Sequence, residues 1–208
     1  TVGAYGAATL ASYGMLIIAC YVSAIVFLVC LGLAAWWITG MNLLQFVRYT
    51  RSEIMLAIGT ASSEVVMPRM MDKLTRAGCN RAVVGLVVPT GYSFNLDGAS
   101  IYLSLATVFL AQSVGIELTL MQEITILAVL MLSSKGMAGV PGSAFLALSA
   151  TAAALNAFPV AVVALLLGAD RFMDTMRVFT NLMGNCVAAF VVAKWEGALL
   201  SEEDAAVH

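Results

Sequence analysis

Residues 170–185, Asp-Arg-Phe-Met-Asp-Thr-Met-Arg-Val-Phe-Thr-Asn-Leu-Met-Gly-Asn, place charged and amide side chains in a stretch that otherwise reads as a membrane helix. An ionisable side chain in hydrocarbon costs several kcal/mol unless it faces protein or water and has a partner. This helix therefore predicts a pathway for a polar solute. At about 100° per residue, five polar side chains share a stripe roughly 80° wide on one helix face: Asp170, Asp174, Arg177, Asn181 and Asn185.

The composition of the chain is that of an integral membrane protein. Hydrophobic residues make up 62% of the 208 residues and charged residues only 11%, with a mean hydropathy of +0.97, unlike a soluble domain. No charged residue precedes Arg48, and the uncharged run 15–38 is longer than the roughly 20 residues that cross the hydrocarbon. A signal peptide would have a shorter apolar core behind a basic start. The sequence therefore predicts an all-α, multi-pass membrane protein.

The basic residues predict how the membrane segments are oriented, because Lys and Arg are enriched on the cytoplasmic side. We place the C-terminal end of the first helix in the cytoplasm, since Arg48 and Arg51 follow it. All basic residues except Lys135, Arg171 and Arg177 are then cytoplasmic. Within a core of residues 7–200, the predicted segments are helix 7–39, hairpin 42–77, broken helix 80–113, hairpin 119–156 and helix 159–195, before a polar tail at 201–208.

Two of these segments are too short to cross the membrane twice and have polar interruptions. Residues 59–64 read Gly-Thr-Ala-Ser-Ser-Glu, and residues 133–142 read Ser-Ser-Lys-Gly-Met-Ala-Gly-Val-Pro-Gly. Non-helical backbone at membrane depth is tolerated only where it is buried in protein or lines a watery cavity. We interpret both segments as re-entrant helical hairpins that enter from opposite sides. Such inverted repeats are typical of secondary transporters, in which the solute binds near the midplane.

The segment between the hairpins is long enough to cross the membrane, but Asn95-Leu96-Asp97-Gly98 interrupts it. Gly, Asn and Asp favour non-helical backbone, so we expect a broken helix here.

Other classes of function need features that this sequence lacks. A serine hydrolase that used Ser62 or Ser63 would need a base, and the only histidine is His208 in the polar tail. A channel could line a pore with the polar stripe, but two hairpin tips over one charged site favour occlusion of a bound solute. The four cysteines form no CxxC pair, and no basic cluster suggests nucleic acid. We expect a transporter and not an enzyme, with no nucleic-acid partner.

Four motifs in order resemble the dicarboxylate/amino acid:cation symporter family, which includes glutamate transporters and bacterial C4-dicarboxylate carriers. The motifs are Ser62-Ser63-Glu64 with Pro68, Pro89 to Gly98, Gly139 to Gly142, and Asp170 to Asn185. The residues of these motifs most resemble the C4-dicarboxylate branch of the family. The resemblance covers essentially the whole chain, but only the C-terminal part of a family member. Residues 1–6 resemble the end of a preceding membrane helix, so we expect a fragment that would not transport alone.

The resemblance implies a secondary active symporter with an elevator-type mechanism of alternating access. The full-length protein would be a homotrimer among lipids of a bacterial inner membrane, and each protomer would move a small anionic solute on a mobile transport domain. The implied solutes are succinate, fumarate and malate, and the alternative is an acidic amino acid such as glutamate or aspartate. The implied coupling cation is H⁺ or Na⁺, with no other cofactor.

The resemblance also implies a set of solute contacts. Arg177 would bind one carboxylate, because the planar guanidinium suits bidentate contacts. Asp174 corresponds to the acid that meets the amino group in amino acid carriers, and the alternative is a purely structural partner for Arg177 one turn away. The solute-binding residues that it assigns are Ser63, Val140, Gly142, Asp174, Arg177 and Asn181. Val140 and Gly142 would bind through their main chain.

For the coupling cation, the resemblance implies oxygen ligands only, which suit a hard cation. Asn185 stands where sodium-coupled members have Asp, which favours proton coupling, although the glutamate that carries a proton in animal carriers corresponds here to Leu103. The implied ligands are the side chains of Asn95, Asp97 and Asn185 and backbone carbonyls of Gly91, Ser93, Ser134, Lys135, Met137 and Asn181.

Overall fold

The computed structural model of the chain describes residues 7–133, 143–155 and 160–199. These residues form helices joined by short connections, and no named β-strand occurs within the described ranges. Three helical stretches there are long and apolar enough to cross a membrane: Ala11–Thr39, Arg81–Ser113 and Ala169–Trp195. The all-helical membrane fold predicted from the sequence is confirmed. In chain order the α-helices are α1 (Ala7–Thr39), α2 (Leu43–Tyr49), α3 (Arg51–Thr60), α4 (Met67–Arg76), α5 (Arg81–Phe94), α6 (Asp97–Ser113), α7 (Leu120–Ser133), α8 (Ser143–Leu155), α9 (Val160–Val163) and α10 (Leu167–Trp195).

The region of the first predicted hairpin folds back on itself. Helix α3 ends at Thr60, and the next residue, Ala61, has left-handed backbone angles (φ 51°, ψ 33°). A 3₁₀ turn, Glu64–Val66, then leads into α4. At the open end, the Lys73 ammonium lies 3.0 Å from the Glu53 carboxylate and donates to the Tyr49 carbonyl at 2.6 Å. Each arm has 10 residues, or about 15 Å, roughly half of the hydrocarbon thickness. The geometry is that of a helical hairpin held together at its base.

The ion pair at this base affects one acidic group. Burial raises the pKa of the Glu53 carboxyl, but hydrogen bonds from Lys73 and Ser52 lower it by more. The pKa of Glu53 therefore lies below its ordinary value, and the carboxylate stays charged beside Lys73 at neutral pH.

The membrane-length stretch after this hairpin is interrupted near its middle. Helix α5 ends at Phe94, Asn95 and Leu96 have non-helical backbone angles, and α6 begins at Asp97. The sequence placed the interruption at residues 95–98. The break exposes the first N–H groups of α6, which need partners from elsewhere in the fold.

The last two predicted segments are described in part. Helices α7 and α8 pack against each other, while the tip between them lies outside the described residues. The predicted helix 159–195 is not continuous where the structure describes it, because a 3₁₀ turn, Ala164–Leu166, separates α9 from α10. The surrounding residues are uniformly apolar, so hydropathy gave no signal of this interruption, and 3₁₀ turns are common next to helix N-termini.

Helix α10 passes through two hydrophobic cores. Residues 169–176 join a first core with α1, α6, α7 and α8, whereas residues 178–193 join a second core with α5 and the hairpin of α3 and α4. The chain between Asp174 and Asn185 therefore lies where the two cores meet. This position surrounds the polar face of α10 with protein.

Candidate functional site

The polar face of α10 points into the protein. Its four central side chains are nearly inaccessible, with exposed fractions between 2% and 6%: Asp174, Arg177, Asn181 and Asn185. Asp170, at the start of the face, is only partly buried, and the neighbouring Arg171 is exposed. Buried polar groups need partners, since an unpaired charge in this environment is strongly unfavourable.

The two charges at the centre of the face neutralise each other. Nη2 of Arg177 lies 2.5 Å from Oδ1 of Asp174, one helical turn away, and both side chains are buried. Both bidentate edges of a guanidinium include Nη2, so Asp174 contacts the nitrogen that a bound carboxylate would use. The ion pair fixes the orientation of the Arg177 guanidinium.

Asn181 of α10 caps the N-terminus of α6, the helix that follows the break. Its Oδ1 atom accepts hydrogen bonds from the backbone N–H of Gly98 at 2.8 Å and of Ala99 at 3.3 Å. Asn is a preferred N-cap residue, but here it acts from another helix more than 80 residues away. The cap ties the N-terminus of α6 to the polar face of α10.

Three glycines allow the broken helix to approach α10 closely. A Cβ atom at Gly98 would lie 2.5 Å from the Arg177 carbonyl oxygen, and one at Gly91 would lie 2.9 Å from Cγ of Asn185. A Cβ atom at Gly184, on α10 itself, would collide with the Asp97 carboxylate. At Gly98 the neighbour is backbone, so a larger residue does not fit there, whereas at Gly91 and Gly184 a side chain would have to move. These contacts bring the predicted cation ligands of α5 and α6 against α10.

Asn185 has the chemistry of a ligand-binding group. Its side chain is 2% exposed, and neither amide atom has a hydrogen-bond partner among the described residues. Such a group costs free energy unless something else satisfies it. The amide oxygen beside Gly91 could bind a hard cation, for which oxygen ligands are preferred.

The structure brings together some of the residues predicted to form the site. Asp174 contacts Arg177, Asn181 contacts Gly98, Asn185 lies against Gly91, and Asn95 and Asp97 lie over Gly184. Ser63 is buried at the tip of the first hairpin, and Ser93 is partly buried in the last turn of α5. The predicted site residues that lie outside the described ranges are Ser134, Lys135, Met137, Val140 and Gly142.

Sequence reasoning missed three residues of this region. Gly98 and Gly184 permit the close helix approach, and a search for glycines flanking the polar motifs would have found them. Tyr102 of α6 is 1% exposed and faces Asp170 and the Asp174–Arg177 pair. In the sequence it is one aromatic residue within an apolar helix, so nothing marks it.

An apolar groove lies on another side of α10. It has a volume of about 560 Å³, lies between α1, α2 and α10, and has apolar lining residues apart from Asn42. Phe179 and Met183 are the residues that α10 contributes to it. An apolar groove on this other side of α10 lacks the charges that an ionic solute needs.

A membrane helix with a buried, charge-neutralised polar face against a broken helix defines a solute transporter of the membrane. The sodium:dicarboxylate symporter family matches residues 1–195, and the chain belongs to that family. The family is one of transporters and not of enzymes, in agreement with the resemblance seen in the sequence.

A curated relative is highly similar to the chain. The C4-dicarboxylate transport protein of Laribacter hongkongensis (strain HLHK9) is 53% identical over 209 residues. The match covers 99% of this chain and 47% of the relative, so the chain spans about half the length of the curated relative that it matches.

Proposed function

We propose that the full-length protein is a secondary active symporter of C4-dicarboxylates such as succinate, fumarate and malate. The observation that carries this proposal is the buried Arg177 on the polar face of α10. Arg is the side chain best suited to bind a carboxylate bidentately. The name of the L. hongkongensis relative supports the choice of solute.

The second carboxylate of the solute meets neutral hydrogen-bond donors. The oxygen of the Asn181 amide is held by the N-terminus of α6, which leaves its NH₂ group as the end that donates. Ser63 is buried at the tip of the first hairpin, and α3 of that hairpin packs against α10. The family resemblance assigns the remaining donors to the main chain of Val140 and Gly142.

The coupling cation is H⁺ or Na⁺. The contacts of Gly91, Asn95 and Asp97 with α10 and the unsatisfied amide of Asn185 support an oxygen-lined position for a cation beside the solute. The backbone carbonyls of Ser93, Asn181, Ser134 and Met137 supply further ligands. Because Asn185 is neutral, this position attracts Na⁺ less than a carboxylate would, which favours H⁺.

The protein works by elevator-type alternating access in the bacterial inner membrane, as a homotrimer surrounded by lipid. Two features support this proposal. Both arms of the first hairpin are too short to span the bilayer, and its base carries Lys73 and Arg76, which favour the cytoplasmic side. The two cores that α10 joins suit two oppositely oriented hairpins that close over one site near the midplane.

Symport of an acidic amino acid is the second candidate function. The observation that favours it is Asp174, whose carboxylate is buried next to Arg177 and could pair with an ammonium group. In that case Asp174 would serve the solute directly, and a solute without an amino group would bind poorly.

Uptake by proteoliposomes tests the proposal. The full-length protein is reconstituted with labelled succinate or aspartate, under Na⁺ and pH gradients that are imposed separately. We expect succinate to accumulate against its gradient and to show counterflow, with little aspartate uptake. Accumulation of aspartate alone would favour the second candidate, and succinate flux without counterflow or accumulation would indicate a channel.

A further inference from the structure

The buried ion pair of α10 presents a conflict for a dicarboxylate. Asp174 already contacts Nη2 of Arg177 at 2.5 Å, and any bidentate solute carboxylate must approach that same nitrogen. Nη2 has two N–H groups, so both carboxylates can contact it, but the two negative charges repel each other, and burial of the pair strengthens that repulsion. A proton on one of the two carboxyl groups removes the repulsion.

The charge count points in the same direction. Asp174 and Arg177 together carry no net charge, so this pair does not compensate the two negative charges of a dianionic solute. A proton on Asp174 compensates one of these charges and frees the guanidinium for the solute. In an amino acid carrier the ammonium of the solute performs this task, but succinate and fumarate have no such group.

The surroundings of Asp174 decide whether another cation could replace Arg177 as its partner. On α10 itself, Asp170 adds a negative charge nearby and Arg171 is exposed. From α6, the phenol of Tyr102 faces the pair, and the Asp97 carboxylate lies farther along α10. Helix α1 has no charged residue and contributes Cys20, whose thiol contacts Met173. Among the described residues, Arg177 is therefore the one buried cation that faces Asp174.

We propose that Asp174 takes up the coupling proton when a dicarboxylate binds Arg177. The proton comes from water on the side where the solute enters and binds a carboxylate oxygen of Asp174, whose contact with Nη2 is replaced by the solute carboxylate. When the solute leaves on the other side, Asp174 returns its proton to water and the ion pair forms again. This inference rests on the proposed function and gives it a proton carrier. The family resemblance identified none, because Leu103 stands where animal carriers have the glutamate that carries a proton.

The experiment measures proton uptake during binding of fumarate to the purified full-length protein in weakly buffered detergent with a pH-indicator dye. Fumarate is a stronger acid than succinate and is fully ionised near neutral pH, so its own protonation does not contribute. We expect about one proton per fumarate bound, and a dissociation constant that rises about tenfold per pH unit on the alkaline side.

Asp174→Asn mimics the protonated acid and is the decisive variant. We expect it to bind fumarate without proton uptake, with an affinity that changes less than about twofold over the same pH range. Asp174→Ser gives the same test if the Asn variant does not fold as judged by size-exclusion chromatography. Asp170→Asn, which neutralises a carboxylate one turn away on the same helix, is the matched control and keeps the proton uptake.

The outcomes separate this inference from the proposed function. Fumarate binding by the wild-type protein without proton uptake overturns the role of Asp174 and leaves dicarboxylate transport intact. Proton uptake that persists in Asp174→Asn, or that disappears in Asp170→Asn, also overturns it. Loss of fumarate binding in a folded Asp174 variant overturns it as well. No fumarate binding by the wild type at any pH overturns both.

Discussion

Helices α1 and α10 both have the length of a membrane span, but they relate to the rest of the protein in opposite ways. In the most apolar stretch of each helix, only 17% of the residues of α1 are buried, compared with 78% of those of α10. Helix α1 has no charged residue and exposes large apolar side chains such as Trp37. Helix α10 buries Arg177 and Asp174. The difference shows that hydropathy identifies a span, whereas the placement of polar residues identifies the helix that performs the function.

The two helices nevertheless pack together. The Tyr21 hydroxyl of α1 donates to the Phe172 carbonyl at 2.9 Å, and the Cys20 thiol lies 3.7 Å from the Met173 sulfur. Both contacts lie one to two residues before Asp174 in the sequence. Helix α1 therefore supports α10 without contributing a charge to the site.

Removal of the central cation should give the largest effect. Arg177→Ala leaves the Asp174 carboxylate buried without its partner, which costs about 3–5 kcal/mol of folding free energy. The double variant Arg177→Ala with Asp174→Asn should recover most of that loss. Denaturation of the full-length protein in mixed micelles measures both, and Tyr21→Phe on α1 is the control, with a loss of about 1 kcal/mol. Equal losses in the single and double variants would mean that the pair is not the cause.

Replacement of a glycine by alanine should change the stability of the protein in opposite directions on α6 and on α1. Gly98→Ala places a methyl group against the backbone of Arg177 and should destabilise the protein by about 1–3 kcal/mol. Gly14→Ala on α1, where nothing lies within 4 Å, should be neutral or stabilising by up to about 1 kcal/mol. The same unfolding assay measures both. A harmless Gly98→Ala would show that α6 and α10 are farther apart than described.

A buried and an exposed asparagine cap offer a finer comparison. Asn181→Ala removes the acceptor of two buried N–H groups and should cost about 2 kcal/mol. Asn80→Ala removes an exposed cap whose Oδ1 accepts from Ala82 N at 2.8 Å, and it should cost about 1 kcal/mol or less. Hydrogen exchange at residues 98–99 should increase only in the first variant. Exchange that is unchanged there would contradict the cap between helices.

The smallest change adds a charge to the polar face. Asn185→Asp should make Na⁺ stimulate succinate uptake more strongly than in the wild type, by up to about tenfold, because a carboxylate attracts Na⁺ more strongly than an amide does. Uptake by proteoliposomes at varied Na⁺ concentration checks this. A sodium response identical to that of the wild type would remove Asn185 from the cation position.

Much of this fold follows from simple sequence patterns. The long apolar runs predict spans, and the stripe of five polar residues predicts a buried face on the last helix. Asn95 to Gly98 lie where the broken helix is interrupted, because these residue types favour non-helical backbone. These features are local, so the sequence carries them directly.

The contacts between helices could not be predicted in the same way. The cap that Asn181 places on Gly98 joins residues more than 80 positions apart, and the need for glycine at Gly184 depends on the position of Asp97. The 3₁₀ turn at Ala164–Leu166 lies in uniformly apolar sequence. Such features depend on how the segments pack, and one sequence holds no direct signal of packing.

The central claim is that the Arg177 guanidinium binds the acidic solute. The most direct test is equilibrium binding of labelled succinate to two purified full-length variants, Asp174→Asn and the same variant with Arg177→Ala, in which no carboxylate at position 174 is left unpaired. Our account predicts binding by the first variant and a loss of at least about 100-fold in affinity in the second. Affinities within a few-fold of each other would contradict the claim.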